Sequence, residues 1–225
     1  MVKFGIFLPV NSGYYLQLQG LLYSFTYLLD EDYKIHIIDM GLNEKQKKHI
    51  FKQFPYLKVQ IDDIFISSQD VSTYRFKIKT IQSMLNFDYD ICMMLDAKNH
   101  LKYSLSQINN ILDRVLINQI ECIEKDWTHD TCLKEMEATE EIKNSGQYQS
   151  NNPVFRMSVA KDIINDIVKY GLNDNCLCPK GSAKSFEGDS RHRQDQSVIS
   201  ITLKKHGIKP SSHNYSSYHN TITIL

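Results

Sequence analysis

Ile91-Cys92-Met93-Met94-Leu95 runs directly into Asp96-Ala97-Lys98. Five consecutive apolar residues leave no face for water, so the run reads as a strand covered on both sides, central in a largely parallel sheet. Its end is abrupt. A carboxylate placed there is costly unless it meets a cation, a donor or water, so Asp96 is either a ligand for a divalent ion or the cap of a following turn.

Working outward, Phe76, Ile78, Ile81, Met84 and Leu85 fall at helical spacing and predict a helix over 74–85 that feeds this strand. Lys3 to Val10 is a second compact apolar run, closed by Pro9 and Asn11-Ser12-Gly13, and reads as a buried strand and turn. Tyr15, Leu18, Leu22, Phe25 and Leu29 then form one helical stripe. Tyr33 to Met40 predicts strand two, ending at Asp39 and Gly41. Asn43 caps a charged helix over 44–54 that Pro55 stops, and 57–66 supplies one or two further strands. Alternating strands and helices predict an α/β fold with a mostly parallel central sheet flanked by helices.

Downstream, helices are expected over 105–117, 127–144 and 159–170, with a strand over 153–157. The stretch 171–189, with Pro179, Gly181 and Gly188, reads as a loop that closes over a site. After it, Asp189-Ser190-Arg191-His192-Arg193-Gln194-Asp195-Gln196-Ser197 leads into the amphipathic run Val198 to Leu203. A dense polar cluster at the start of a helix with an apolar face is either a site mounted on a rigid scaffold or a solvated helix start.

Composition narrows the classes. The 225 residues suit one domain, and 42% hydrophobic with 23% charged is ordinary for a globular protein. Lysine and arginine total 26 and so do the acids, so no global field favours nucleic acid, and none is expected as a partner. The most apolar stretch, 20–29, is shorter than the ~18 residues a membrane span needs. No span is expected, nor a signal peptide, and the chain is placed in the cytoplasm, the host's if it is viral. Five cysteines, an odd number, suggest a reducing compartment rather than a disulfide framework, and Cys176-Leu177-Cys178 is too tight for zinc.

Ligands in open α/β sheets bind beyond the carboxyl ends of the strands, where Asp39 and Asp96 both stand. Neither GxGxxG nor a P-loop is present, so a bound diphosphate would be met by a metal at Asp96 and by lysines such as Lys77, Lys79 or Lys98. Trp127, the only tryptophan, and His129 are each either sugar contacts or ordinary packing residues.

The order of Phe4–Val10, Ile35–Gly41, Tyr74-Arg75-Phe76-Lys77, Met93–Ala97, Trp127-Thr128-His129 and His192-Arg193-Gln194-Asp195-Gln196-Ser197 resembles GT-A glycosyltransferases of bacteria and viruses. The likeness is greatest to a group with a Leu-Asp-Ala strand end and an Arg-x-Asp-Gln-Ser helix, and extends more distantly to glycogenin-type enzymes. It implies a single GT-A-like domain over 1–225, with 1–100 as the nucleotide-binding half and 101–225 as the acceptor-binding half.

The implied activity is hexosyl or pentosyl transfer from a nucleotide sugar, typically a UDP-sugar, to a glycan or glycoprotein, as in polysaccharide biosynthesis or protein glycosylation. The implied donor-binding residues are Pro9, Val10, Asn11, Asp39, Lys77, Ala97 and Lys98. Acceptor-binding residues are Trp127, His129, Arg191, His192 and Gln196, and Asp195 and Asp96 are catalytic. The family's metal motif is Asp-x-Asp, and here Lys98 replaces its second carboxylate. Mn²⁺ or Mg²⁺ is then held by Asp96 with a distant histidine, His213 or His219, or Lys98 neutralises the diphosphate itself.

Asp195 serves as general base in an inverting reaction, or steadies the donor sugar in a retaining one. Two rivals stand beside a transferase: a non-catalytic GT-A domain that binds nucleotide sugar or glycan, and a sugar nucleotidyltransferase. The second needs a glycine-rich basic loop after strand one, of which Pro9-Val10-Asn11-Ser12-Gly13 is a poor version.

Overall fold

A computed structural model describes residues 1–182 and 191–218. In chain order, β1 (Lys3–Val10), α1 (Tyr15–Ser24), β2 (Asp32–Asp39), α2 (Glu44–Gln53) and β3 (Val59–Asp62) build one half of the sheet. Next come α3 (Ser68–Ser72), α4 (Arg75–Ser83), β4 (Ile91–Met94), β5 (Asn99–Leu101), α5 (Leu105–Ile111), β6 (Val115–Leu116) and β7 (Gln119–Ile123). Three short helices, α6 (Glu124–Trp127), α7 (Asp130–Glu135) and α8 (Glu140–Lys143), precede β8 (Gly146–Tyr148) and β9 (Val154–Arg156). Last are α9 (Met157–Gly171), α10 (Asp174–Leu177), α11 (Gln194–Lys205) and β10 (Ser216–Tyr218).

The main sheet has the order β3-β2-β1-β4-β9-β6. Its first four strands are parallel, and β9 runs antiparallel to both neighbours. The chain leaves β1 toward β2 and β3, then crosses back to place β4 on the other side of β1. A crevice opens between the carboxyl ends of β1 and β4, where the winding reverses and open α/β sheets take their ligands.

The β4 run is apolar throughout because it is buried on both faces. Cys92 and Met94 pack into a core with α4, α7, α9, α10 and α11, while Ile91, Met93 and Leu95 join α1, α2 and α5 on the opposite face. Each such fully buried side chain contributes about 1.5–3 kcal/mol relative to exposure. Gly171 lets α9 close on α4, since a Cβ there would stand 2.7 Å from Ile78.

Most of the expected elements are present, including the Asn43 cap, whose side chain bonds Gln46 in a capping box. The region after β4 departs from expectation. The helix expected over 105–117 ends at Ile111, because Leu112 turns extended (ψ 115°) and Val115–Leu116 pairs with β9 instead. The helix expected over 127–144 is three short ones: Thr128 is extended, His129 and Thr139 each cap a new start, and Glu137 takes a positive φ of 50° between them.

Of the two strands allowed over 57–66, one forms. Most of the loop expected to close over a site (183–190) lies outside the described residues, as do His219 and the rest of 219–225. No described helix is long and apolar enough to cross a membrane.

Candidate active site

Lys77 organises the crevice. It sits on the inner face of α4 and is 6% exposed, so its ammonium has to be met by protein groups. Nζ lies 3.0 Å from Asp96 Oδ2, just beyond β4, and 3.5 Å from Asp195 Oδ2 in the first turn of α11. Burial alone would lower the lysine's pKa, but the two carboxylates overcome it and hold the proton above the ordinary lysine range. Burial raises the pKa of Asp96 despite the ammonium beside it. Asp96 lies deep in the fold but keeps 23% of its side chain exposed toward the crevice, whereas the Asp195 side chain keeps 6%. Apart from the Lys77 ammonium at 3.5 Å, Asp195 Oδ2 meets no donor and makes no hydrogen bond.

Two connected hollows share Val71, Tyr74, Lys77 and Asp96. The smaller, about 220 Å³, is bounded by Pro9 and Asn11 after β1, by Ala97 and Lys98 after β4, and by the rings of Tyr14, Tyr74 and Phe76. Lys98 Nζ stands over the Tyr14 ring at 5.3 Å. The larger, about 830 Å³, is bounded by Trp127, Gln149, Asn151, Arg191 and the start of α11 from His192 to Gln196. Asn151 is fixed by its carbonyl, which accepts from Asp96 N (2.9 Å) and Asn99 Nδ2 (2.7 Å), while its own Oδ1 is buried without a donor.

Backbone strain gathers here as well. Tyr74 (φ 58°) and Gln194 (φ 29°) are non-glycine residues in the left-handed region, and both line the larger hollow. Such residues cost about 1–3 kcal/mol each and persist where surrounding structure forces them, as at ligand sites.

Of the residues singled out in the sequence, Pro9, Asn11, Lys77, Asp96, Ala97, Lys98, Trp127, Arg191, His192, Asp195 and Gln196 line this double hollow. Five others stand elsewhere. Lys79 pairs with Asp70 at 2.8 Å. Val10 is a core residue, 1% exposed. Asp39 spends its carboxylate on Lys47 (2.7 Å) and on the N–H groups of Gly41 and Leu42. His129 caps Thr131 through Nδ1. His213 packs edge-on against Tyr103, in a different hollow from Asp96.

Two residues of the lining serve partly as supports. His192 donates from Nε2 to the carbonyls of Cys176 (2.8 Å) and Leu177 (3.1 Å) and accepts from His129 N at Nδ1, so both ring nitrogens are used internally. Trp127 carries the guanidinium groups of Arg193 (4.3 Å) and Arg191 (5.2 Å) over its ring.

Behind the larger hollow lies a support that the sequence reading missed. Gln196 Nε2 donates to Gln147 Oε1 (2.9 Å), and Gln147 Nε2 donates to Glu124 Oε2 (3.0 Å) and Thr128 Oγ1 (3.1 Å). Glu124, fully buried, is neutralised by Lys204 at 2.7 Å and also bonds Ser200 Oγ. The polar run Gln147-Tyr148-Gln149-Ser150-Asn151-Asn152 ahead of a strand was the available signal. Tyr14 and Tyr74 were also missed as site residues, since nothing in their spacing announces a left-handed Tyr74.

No group of three metal-ligating side chains comes together among the described residues. One oxygen of Asp96 is committed to Lys77, the neighbouring motif position is a cation, and His213 stands apart. The described donor set does not fit a divalent ion.

No protein-family model matches the sequence, and no curated protein matches it by sequence. Solved structures do match. The galactosyltransferase LgtC, in complex with donor and acceptor sugar analogs, superposes with a TM-score of 0.64 at 14% identity over 92% of this chain and 73% of LgtC. The chain has the GT-A fold. Mouse xyloside xylosyltransferase 1 matches with a TM-score of 0.54 at 10% identity, covering 93% of this chain and 84% of the mouse enzyme. The bifunctional glycosyltransferase WbbM gives 0.62 at 11% identity over 89% of this chain, which spans only 37% of WbbM. An active-site glutamine-to-glutamate mutant of LgtC also superposes, at 0.62.

Proposed function

We propose that this GT-A domain is a glycosyltransferase that moves a sugar from a nucleotide-sugar donor, a UDP-sugar in the first instance, to a glycan or glycoprotein acceptor. The observation that carries the reading is the buried Lys77 ammonium between Asp96 and Asp195, at the reversal point of the sheet and at the junction of the two hollows. The smaller hollow suits a nucleoside: a flat base lies against the Tyr14 and Tyr74 rings, between the ends of β1 and β4. Residues 1–100 thus hold the donor nucleotide, and 101–225 supply the acceptor side.

In the reaction the bond from the anomeric carbon to the diphosphate oxygen breaks, and its electron pair stays on the diphosphate. The acceptor hydroxyl oxygen forms the new bond and its proton passes to the released diphosphate. Charge growing on the leaving oxygen is met by Lys98 at the mouth of the nucleoside hollow and by Lys77 below it. The fitting role of Asp195 is electrostatic: Oδ2, which faces the Lys77 ammonium at 3.5 Å and makes no hydrogen bond, accepts from a donor-sugar hydroxyl and offsets positive charge building at the anomeric carbon. Mn²⁺ or Mg²⁺ enters this reading only through Asp96. Since the described residues do not complete a ligand set, no step is routed through the ion.

A thermal-shift and transfer screen over UDP-, GDP-, CDP- and dTDP-sugars, with Mn²⁺ and with EDTA, tests the reading, because a ligand bound to the native state raises its stability. Stabilisation by one nucleotide with turnover of its sugar is expected. Binding without turnover on any acceptor would leave a non-catalytic nucleotide-sugar-binding domain. Folded protein that binds none of the panel would overturn the reading.

A further inference from the structure

A third hollow, of about 670 Å³, adjoins the larger one and meets it at Gln149, which lines both. Its walls include Asn118, Gln119, Gln149, Ser212, Asn214 and Ser216. Among the described residues, no aspartate, glutamate, lysine or arginine lines it; its one titratable side chain is His213, and Lys102, itself not in the lining, donates to the Asn214 amide oxygen at 3.2 Å. The contrast with the adjoining hollow, which gathers Lys77, Asp96, Arg191, Arg193 and Asp195, is chemical. A lining without lysine or arginine gives a phosphate or a nucleotide no ammonium or guanidinium of its own to pair with. Amide and hydroxyl side chains instead present a donor and an acceptor side by side, which matches the vicinal hydroxyls of a neutral sugar.

The wall is held by internal bonds. Ser211 N donates to Ile117 O at 2.7 Å, and Gln149 N donates to Asn118 O at 2.8 Å. The fully buried Tyr215 donates from its hydroxyl to Asn152 O at 2.6 Å and lies 3.2 Å from Leu116 O. Asn118, in the lining, keeps a buried Oδ1 that meets no hydrogen-bond donor of the protein.

We propose that this hollow is a sugar subsite that takes the residue next to the accepting one, so that the acceptor is a neutral oligosaccharide of at least two units rather than a monosaccharide. The proposal rests on the transferase reading for its direction, with the accepting sugar beside Asp195 and the chain running past Gln149. Its binding consequence is measured without turnover. The probe is an array of neutral, sialylated and sulfated oligosaccharides of one to four residues, followed by calorimetric titration of the strongest binder and its truncated forms.

Affinity is expected to rise at least about tenfold from monosaccharide to disaccharide, and neutral glycans should bind more tightly than charged ones of equal length. Ser212→Trp, at an exposed position on the rim, should fill the hollow and reduce that rise to less than about threefold, with the thermal midpoint reporting that the fold is intact. Asn118→Ala, a smaller change, should weaken disaccharide binding and leave monosaccharide binding alone. Equal affinity across chain lengths, a preference for charged glycans, an undiminished rise in both variants, or no glycan bound at all would each overturn the subsite. Failure of the transferase reading looks different: length-dependent binding with no donor turnover would leave the subsite standing and remove the reaction.

Discussion

Lys77 Nζ lies 3.0 Å from Asp96 Oδ2, joining the helix that precedes the central strand to the residue that ends it. The same ammonium reaches Asp195 from the last long helix, so one cation ties together three segments far apart in sequence. Removing one partner of a buried ionic group leaves the others uncompensated and typically costs about 3–5 kcal/mol. Lys77→Met should therefore lower unfolding free energy in urea by that order. Adding Asp96→Asn and Asp195→Asn should recover part of the loss, because the site then holds no unpaired charge. A loss below about 1 kcal/mol in the single variant would show that the carboxylates do not depend on the ammonium.

Asp195→Asn separates the two roles open to that carboxylate. The amide keeps the shape but not the charge, so transfer should fall at least about 100-fold, in the range found when one preorganised electrostatic contact is removed. UDP affinity, measured by calorimetry, should stay within about threefold of wild type. If UDP binding collapses instead, Asp195 belongs to the nucleotide end of the site.

The sheet was legible because burial on both faces leaves a mark that residue types alone carry: Ile91–Leu95 and Phe4–Val10 admit no polar residue, and strand ends follow from where the polarity begins. Asp96 and Asp195 were legible for the same reason, as charges set against apolar runs. The second half was harder to read. Between β5 and β8 its helices are four to seven residues long, broken by caps such as His129 and Thr139, and its strand pairs β5–β10 and β7–β8 join short segments whose partners only tertiary packing decides. Val10 shows the limit from the other side. It lies at a strand end between two residues of the site, yet the alternation of the strand turns it into the core.

Gln147 is expected to act through Gln196. It is fully buried, with its amide fixed by Glu124 and Thr128, so its oxygen presents one fixed acceptor to Gln196 Nε2. Gln147→Leu should lower kcat by about 10-fold or more with a smaller change in donor KM, as for a contact felt mainly in the transition state. Adding Gln196→Leu should cost little beyond the worse single variant. Additive losses would make Gln147 a structural residue with no special tie to Gln196.

Stability should fall on mild acidification, and His192 is the main reason. Burial lowers its pKa from 6.5 to about 4, and its hydrogen bonds fix the neutral ring: Nε2 donates to two carbonyls while Nδ1 accepts from His129 N. A second proton would have to sit on Nδ1, facing an N–H group. The unfolded chain, with its ordinary histidine, binds that proton near pH 6.5, so the stabilisation is complete above that value and is lost as pH falls from 6.5 toward 4. His36, lowered by burial although Asp62 pulls the other way, adds in the same direction. At about 1.4 kcal/mol per pH unit per proton, His192 alone removes roughly 2 kcal/mol by pH 5. Urea unfolding at pH 7.5, 6 and 5 measures the slope, and His192→Gln should flatten it. A variant that keeps the wild-type slope would assign the acid sensitivity elsewhere. Because His192 ties the start of α11 to α10, nucleotide-dependent stabilisation should weaken over the same pH interval.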